Sequence, residues 1–133
     1  MLKKTMFSIT ILIIFFLIIV TSGQFFFKKG MNQIGEIKLN EINLLYKNII
    51  KIFTNHFIIL GIIFSIVSAT LWLIILSKAD LGFIYPLIGG ITYIIIFFIS
   101  LFILKEKINQ TQLLAIIIIL SGIILMIKSK WVI

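Results

Sequence analysis

The chain contains no cysteine, no arginine, one histidine (His56) and one proline (Pro86). Without cysteine there is no disulfide, thiolate metal site or cysteine nucleophile, and a lone histidine cannot assemble a zinc site by itself. Acidic side chains are scarce too: four stand against twelve lysines, and none falls within a long apolar run. No histidine or carboxylate accompanies a candidate nucleophile inside those runs, and no glycine-rich loop precedes a Lys-Ser or Lys-Thr pair. An enzyme is therefore not expected, nor a cofactor. Polarity itself is in short supply. Of 133 residues 62% are hydrophobic and 12% charged, with mean hydropathy +1.29, which is far outside the range of water-soluble domains. Lysines flanking apolar segments meet lipid phosphates rather than nucleic acid, so the expected partner is the bilayer and no nucleic-acid partner is expected.

What is present is apolar length. A transmembrane helix takes about 20 consecutive apolar residues, and four uncharged runs qualify: Met6 to Phe27, Phe57 to Ser77, Leu81 to Leu104 and Ile108 to Ile127. The first, behind Lys3 and Lys4, resembles a signal peptide at its start but continues through Phe27, beyond a usual signal core, and is read as a span. The expectation is an all-α, multi-pass protein of the cell (inner) membrane, forming one four-helix domain over residues 1–133.

Between the first two spans, "LNEINLLYKNIIKIF" (39–53) repeats apolar residues at Leu39, Ile42, Tyr46, Ile49, Ile50 and Phe53, with Asn40, Glu41, Asn43, Lys47, Asn48 and Lys51 on the other side. This spacing predicts an amphipathic helix. It fits a helix lying in the headgroup plane or a connector packed on the span ends. The other connections, "KAD" and "KEK", are very short, so successive spans run antiparallel. Both termini then share a face with Lys78, giving five lysines (3, 4, 78, 128 and 130) against seven (28, 29, 38, 47, 51, 105 and 107). That near-balance leaves either orientation, or both, open.

Polar side chains inside spans face a partner helix or a cavity. Gln24 and Lys28, four apart on one face of the first span, can present an amide and a cation to an anionic group near the membrane surface. The competing reading of Lys28 and Lys29 is a snorkelling stop signal. Ser65 and Ser68 read as helix packing, by bonds across helices or back to their own carbonyls. In the third span, "LGFIYPLIGGITY" puts Pro86, Gly89 and Gly90 beside Tyr85, Thr92 and Tyr93. A kinked, thinned helix carrying hydroxyls suits a pocket wall, and close helix packing is the alternative. Gly122, beside Ser121 in "LSGIILM", is expected at a helix or subunit contact.

The order "GQFFFKKG", "LWLIILSKADLGFIYPLIGG" and "LKEKINQTQLLAIIIILSGIILM" resembles the drug/metabolite transporter superfamily in its four-helix form, over nearly the whole chain. The relatives it brings in are EamA-like single-repeat proteins, small multidrug resistance exporters, and the subunits of the flippase for undecaprenyl-phosphate-linked aminoarabinose. Small multidrug exporters carry a glutamate in span one, where this chain has Val20 or its apolar neighbours, and a tryptophan about where Ile88 stands. The flippase-like subunits resemble it better, through the "GQ" and basic residues ending span one, the "LWL" of span two and the "YP" of span three. The resemblance implies transport of a lipid-linked sugar or similar amphipathic anion by a homodimer or a heterodimer with a similar protein. Lys28 and Lys29 would meet the anion, and Gln24, Tyr85 and Tyr93 the sugar head. Alternatives are an exporter of small hydrophobic or polar metabolites and a non-transporting partner subunit. Glu106 matches the superfamily's acidic residue before span four, while the reading from the residues alone is a local ion pair with its neighbouring lysines or a helix-end interaction.

Overall fold

A computed structural model describes residues 2–37 and 42–130, with side chains at 9–37 and 46–129. It contains five helices: α1 (Leu2–Ile34), α2 (Ile42–Thr54), α3 (His56–Leu76), α4 (Leu81–Phe102) and α5 (Gln110–Lys130). All but α2 are long and apolar enough to cross a bilayer. The described residues include no strand. This is the expected all-α architecture of four membrane helices with an amphipathic helix between the first two, although residues 39–41 of the anticipated 39–53 segment lie outside the described residues.

The helix ends follow from local chemistry. α1 continues beyond the expected limit at Phe27 and carries Lys28 and Lys29 on its last turns; at about 1.5 Å per residue it outreaches a hydrocarbon core of roughly 30 Å. It stops at Gly35, whose φ of 84° is the left-handed conformation that favours glycine, and the Gly35 N–H closes the turn on the Met31 carbonyl at 2.9 Å. α2 and α3 would be continuous but for Asn55. Its extended backbone breaks the helix, and its side-chain oxygen accepts from the N–H groups of Phe57 (2.9 Å) and Ile58 (3.3 Å) to cap α3. α5 begins with one half of a capping box: the Gln112 side chain accepts from the Asn109 N–H at 2.9 Å.

α1 and α3 pack antiparallel along a stripe of α1 that the sequence pattern does not single out: Phe16, Gly23, Phe27 and Gly30, all on one helical face. A β-carbon at Gly61 would lie 2.6 Å from the Phe27 ring, and one at Gly30 would lie 2.6 Å from Ile58 Cγ1 and 3.0 Å from Asn55 Oδ1. Lipid is as apolar as leucine, so helices associate through close packing of this kind rather than by apolar burial. A cluster of Phe16, Leu17, Ile75, Ile84 and Ile88 joins α1, α3 and α4 toward the opposite surface from Lys28. α4 continues through Pro86 without a break. Gly90 does provide the expected close approach, since a β-carbon there would lie 2.7 Å from Ile123 Cδ1 of α5, whereas β-carbons at Gly89 and Gly122 would meet no neighbouring atom within 4 Å among the described residues. On the α5 side, the close approach to α4 at Gly90 is made by Ile123.

α1 packs against both α3 and α4, α3 also touches α4 through Trp72 and Tyr85, α5 packs on α4, and α2 lies against the ends of α1 and α3. Only 6% of the apolar stretch of α5 is buried by protein, compared with 22% for those of α1 and α3. Tyr46, Ile49, Ile50 and Phe53 of α2 are also exposed, which leaves an apolar surface for lipid at the membrane boundary while the same helix touches α1 and α3.

Candidate functional site

Most hydroxyls in the spans are used internally. Thr21 and Ser22 donate to the carbonyls of Leu17 and Ile18, Ser65 and Ser68 to those of Gly61 and Ser65, Thr70 to Ile66, and Ser121 to Ile118. The serines of α3 therefore bond within their own helix. Ser100, near the end of α4, differs: its hydroxyl donates to a carboxylate oxygen of Glu106.

The backbone brings Glu106 back to this position. At the end of α4 the Leu104 N–H reaches the Ile99 carbonyl, Lys105 adopts a left-handed φ of 54°, and the Glu106 N–H then bonds the Ser100 carbonyl at 3.1 Å. The other carboxylate oxygen of Glu106 lies 2.8 Å from Lys28 Nζ. Glu106 is therefore held by α1 and α4 together, and its partner is Lys28 from a different helix rather than Lys105 or Lys107 beside it. The Lys28 bond first, and the Ser100 bond second, hold its carboxyl below the usual carboxylate range. Both charged side chains stay accessible, 49% exposed for Lys28 and 39% for Glu106. The bridge is consequently a solvent-screened clasp rather than a buried ion pair.

Beside it, α4, the α4–α5 connection and α5 enclose a cavity of about 180 Å³, lined by Tyr93, Phe97, Ser100, Glu106, Lys107 and Gln112 among others. Of the residues selected from sequence, Lys28 and Tyr93 thus converge on Glu106, one by an ion pair and the other across this cavity. Gln24 is exposed one turn before Lys28. Tyr85 stands elsewhere. It packs edge-on against Trp72 at 5.7 Å, and Trp72 in turn stacks near Phe16 at 5.6 Å. With eight residues of helix between the two tyrosines, they are about 12 Å apart along the α4 axis. Lys29 also separates from Lys28: its ammonium lies 4.4 Å from the centre of the Phe57 ring, a cation–π contact that anchors α1 to α3.

Ser100 and Gln112 were missed by sequence reasoning. The signal for Ser100 was its position as the one hydroxyl in the last turns of α4, six residues before an acid; for Gln112 it was the Asn-x-x-Gln spacing of a cap. Comparisons with protein-family models, with curated proteins and with solved structures return no match.

Proposed function

We propose that the chain is a transporter subunit that moves an amphipathic anion, such as a lipid-linked sugar, between the two leaflets. The observation that carries this reading is the accessible Lys28–Glu106 clasp beside a cavity with hydroxyl and amide groups. Without a phosphate, Lys28 has its counter-ion on the protein. Glu106 supplies one that is exposed enough to be exchanged, so an incoming phosphate takes its place on Lys28 with one anion replacing another. Tyr93, Ser100 and Gln112 then offer hydrogen bonds to a polar head, while the lipid tail stays in the bilayer outside the helices. The apolar stretch of α5 is only 6% buried by protein, which supports a working unit of two such chains, identical or similar, as the resemblance to the drug/metabolite transporter superfamily implies.

The test is translocation of a fluorescent polyprenyl-phosphate sugar in reconstituted vesicles, followed by quenching of the outer leaflet. Loss of a charge-assisted contact of about 1.5–3 kcal/mol in Lys28→Ala lowers transport by roughly tenfold or more at equal protein level. Unchanged transport removes Lys28 from the path. Export of cationic dyes with no movement of the anion would transfer the chain to the small-exporter reading. Activity that arises only when a second four-span protein is supplied would identify a heterodimer.

A further inference from the structure

A second polar cavity, separate from the clasp, lies where α1, α2 and α3 meet. Its volume is about 340 Å³, within the roughly 300–1,000 Å³ range of small-molecule sites, and its lining is Gln33, Ile34, Lys51, Thr54, Asn55 and His56. Its hydrogen-bonding groups are unequally used. Asn55 is fully engaged, since its oxygen caps α3 and its amide donates to Gln33 Oε1 at 3.0 Å. Thr54 donates to the Ile50 carbonyl. By contrast, among the described residues the Lys51 ammonium, the His56 ring and the amide nitrogen of Gln33 have no protein partner. Three elements therefore turn unspent donors toward one polar hollow, and the N–H groups at the start of α3 are not among them because Asn55 already takes them.

The position fixes the kind of ligand. The cavity lies at the junction of the surface helix α2 with two span ends, next to the exposed Ile49, Ile50 and Phe53. The Lys51 ammonium favours an anionic group, and the neighbouring apolar surface of α2 favours one from the headgroup layer. We propose that this cavity binds the phosphate of an anionic lipid headgroup, with Lys51 as the charged ligand and Gln33 and His56 as further donors, and thereby holds α2 at the bilayer surface. The site is independent of the clasp at Lys28 and of any transport.

Native mass spectrometry of the detergent-purified full chain, titrated with phosphatidylglycerol, tests this. The native sequence retains bound lipid, and Lys51→Gln with Gln33→Ala reduces its occupancy about tenfold, as the loss of a charge-assisted phosphate contact requires. Lys51→Arg restores much of it. Lys128→Gln, at the other membrane surface, leaves it unchanged. A parallel titration with inorganic phosphate distinguishes the sources: displacement of the lipid at millimolar phosphate assigns the site to the phosphate group alone, and no displacement assigns it to the whole headgroup. Equal retention by the native chain and the Lys51/Gln33 variant, with both still helical by circular dichroism, overturns the proposal. So does an equal loss in Lys128→Gln, because binding would then follow overall charge.

Discussion

Replacing Gly30 with alanine tests the packing argument most directly, because the same substitution at another glycine of this chain should act in the opposite direction. The added methyl at position 30 would sit 2.6 Å from Ile58 Cγ1, 3.0 Å from Asn55 Oδ1 and 3.2 Å from the Ile58 backbone nitrogen. The isoleucine carbon can yield, but the other two atoms belong to the cap that starts α3. Relief therefore requires α1 and α3 to separate or the Asn55 cap to shift. Overpacking of this kind costs about 1–3 kcal/mol, and a lost cap about 1 kcal/mol. Alanine gains up to about 1 kcal/mol over glycine in helix propensity. The net expectation is a destabilisation of about 1–3 kcal/mol. At Gly89 a methyl meets no atom within 4 Å, so Gly89→Ala keeps only the propensity gain and is neutral or slightly stabilising. The assay is reversible unfolding by increasing mole fraction of sodium dodecyl sulfate, followed by circular dichroism. If Gly30→Ala is as stable as the native chain, the close α1–α3 approach at this level is wrong.

Other outcomes follow from the same geometry. Glu106→Gln should destabilise by less than about 1 kcal/mol, since both partners of the clasp are exposed. Its folded-state pKa is depressed, so the clasp contributes fully above the ordinary glutamate value of about 4.3 and is lost as pH falls through the lower folded value. The stability difference between native chain and variant should accordingly be flat from pH 7 to 5 and shrink as the pH falls below the ordinary glutamate value; a difference that grows on acidification refutes the assignment. Asn55→Ala, which removes both cap bonds and the tie to Gln33, should cost about 1 kcal/mol in the same unfolding assay. Tryptophan at Phe53 should be quenched strongly by lipids brominated near the headgroup and weakly by those brominated at the chain ends, and the reverse pattern would move α2 off the surface. Single cysteines at Ser129 and Lys47 should lie on opposite sides of the membrane in each molecule, and exclusive labelling of both from one side would contradict the four-span topology.

The spans were legible because a bilayer reads only composition and length, and both survive in a one-dimensional string. The amphipathic helix was legible for a related reason: Tyr46, Ile49, Ile50 and Phe53 repeat with the helical period. Packing was less accessible. Gly90 and Gly122 look alike in sequence, yet one meets Ile123 and the other no neighbouring atom among the described residues, a difference set by the rotation of α5 about its axis that hydropathy does not encode. The Gly23, Phe27 and Gly30 stripe was not singled out, because glycines near a run of phenylalanines give no hint of which helix they meet. At the site, Lys28 was recognisable from its place at the end of an apolar run. Its union with Glu106 was not, because it depends on a left-handed residue at Lys105 that no sequence pattern marks. Tyr85 and Tyr93 sat together in a suggestive stretch, and two turns of helix were enough to separate them.

The clasp also implies an order of events during synthesis. Lys28 is made with α1, whereas Glu106 follows only after α4, so the lysine enters the membrane before its counter-ion exists. α1 and α3 can already dock through their glycines during that interval. Until the last connection emerges, Lys28 must keep its charge among lipid headgroups, and its position at the end of the apolar run allows this. Closure of the clasp then marks the moment when α4 has reached its final place beside α1. A nascent chain stalled before Glu106 would hold a docked α1–α3 pair with a lysine free to react, a state that timed chemical modification of that amine can capture.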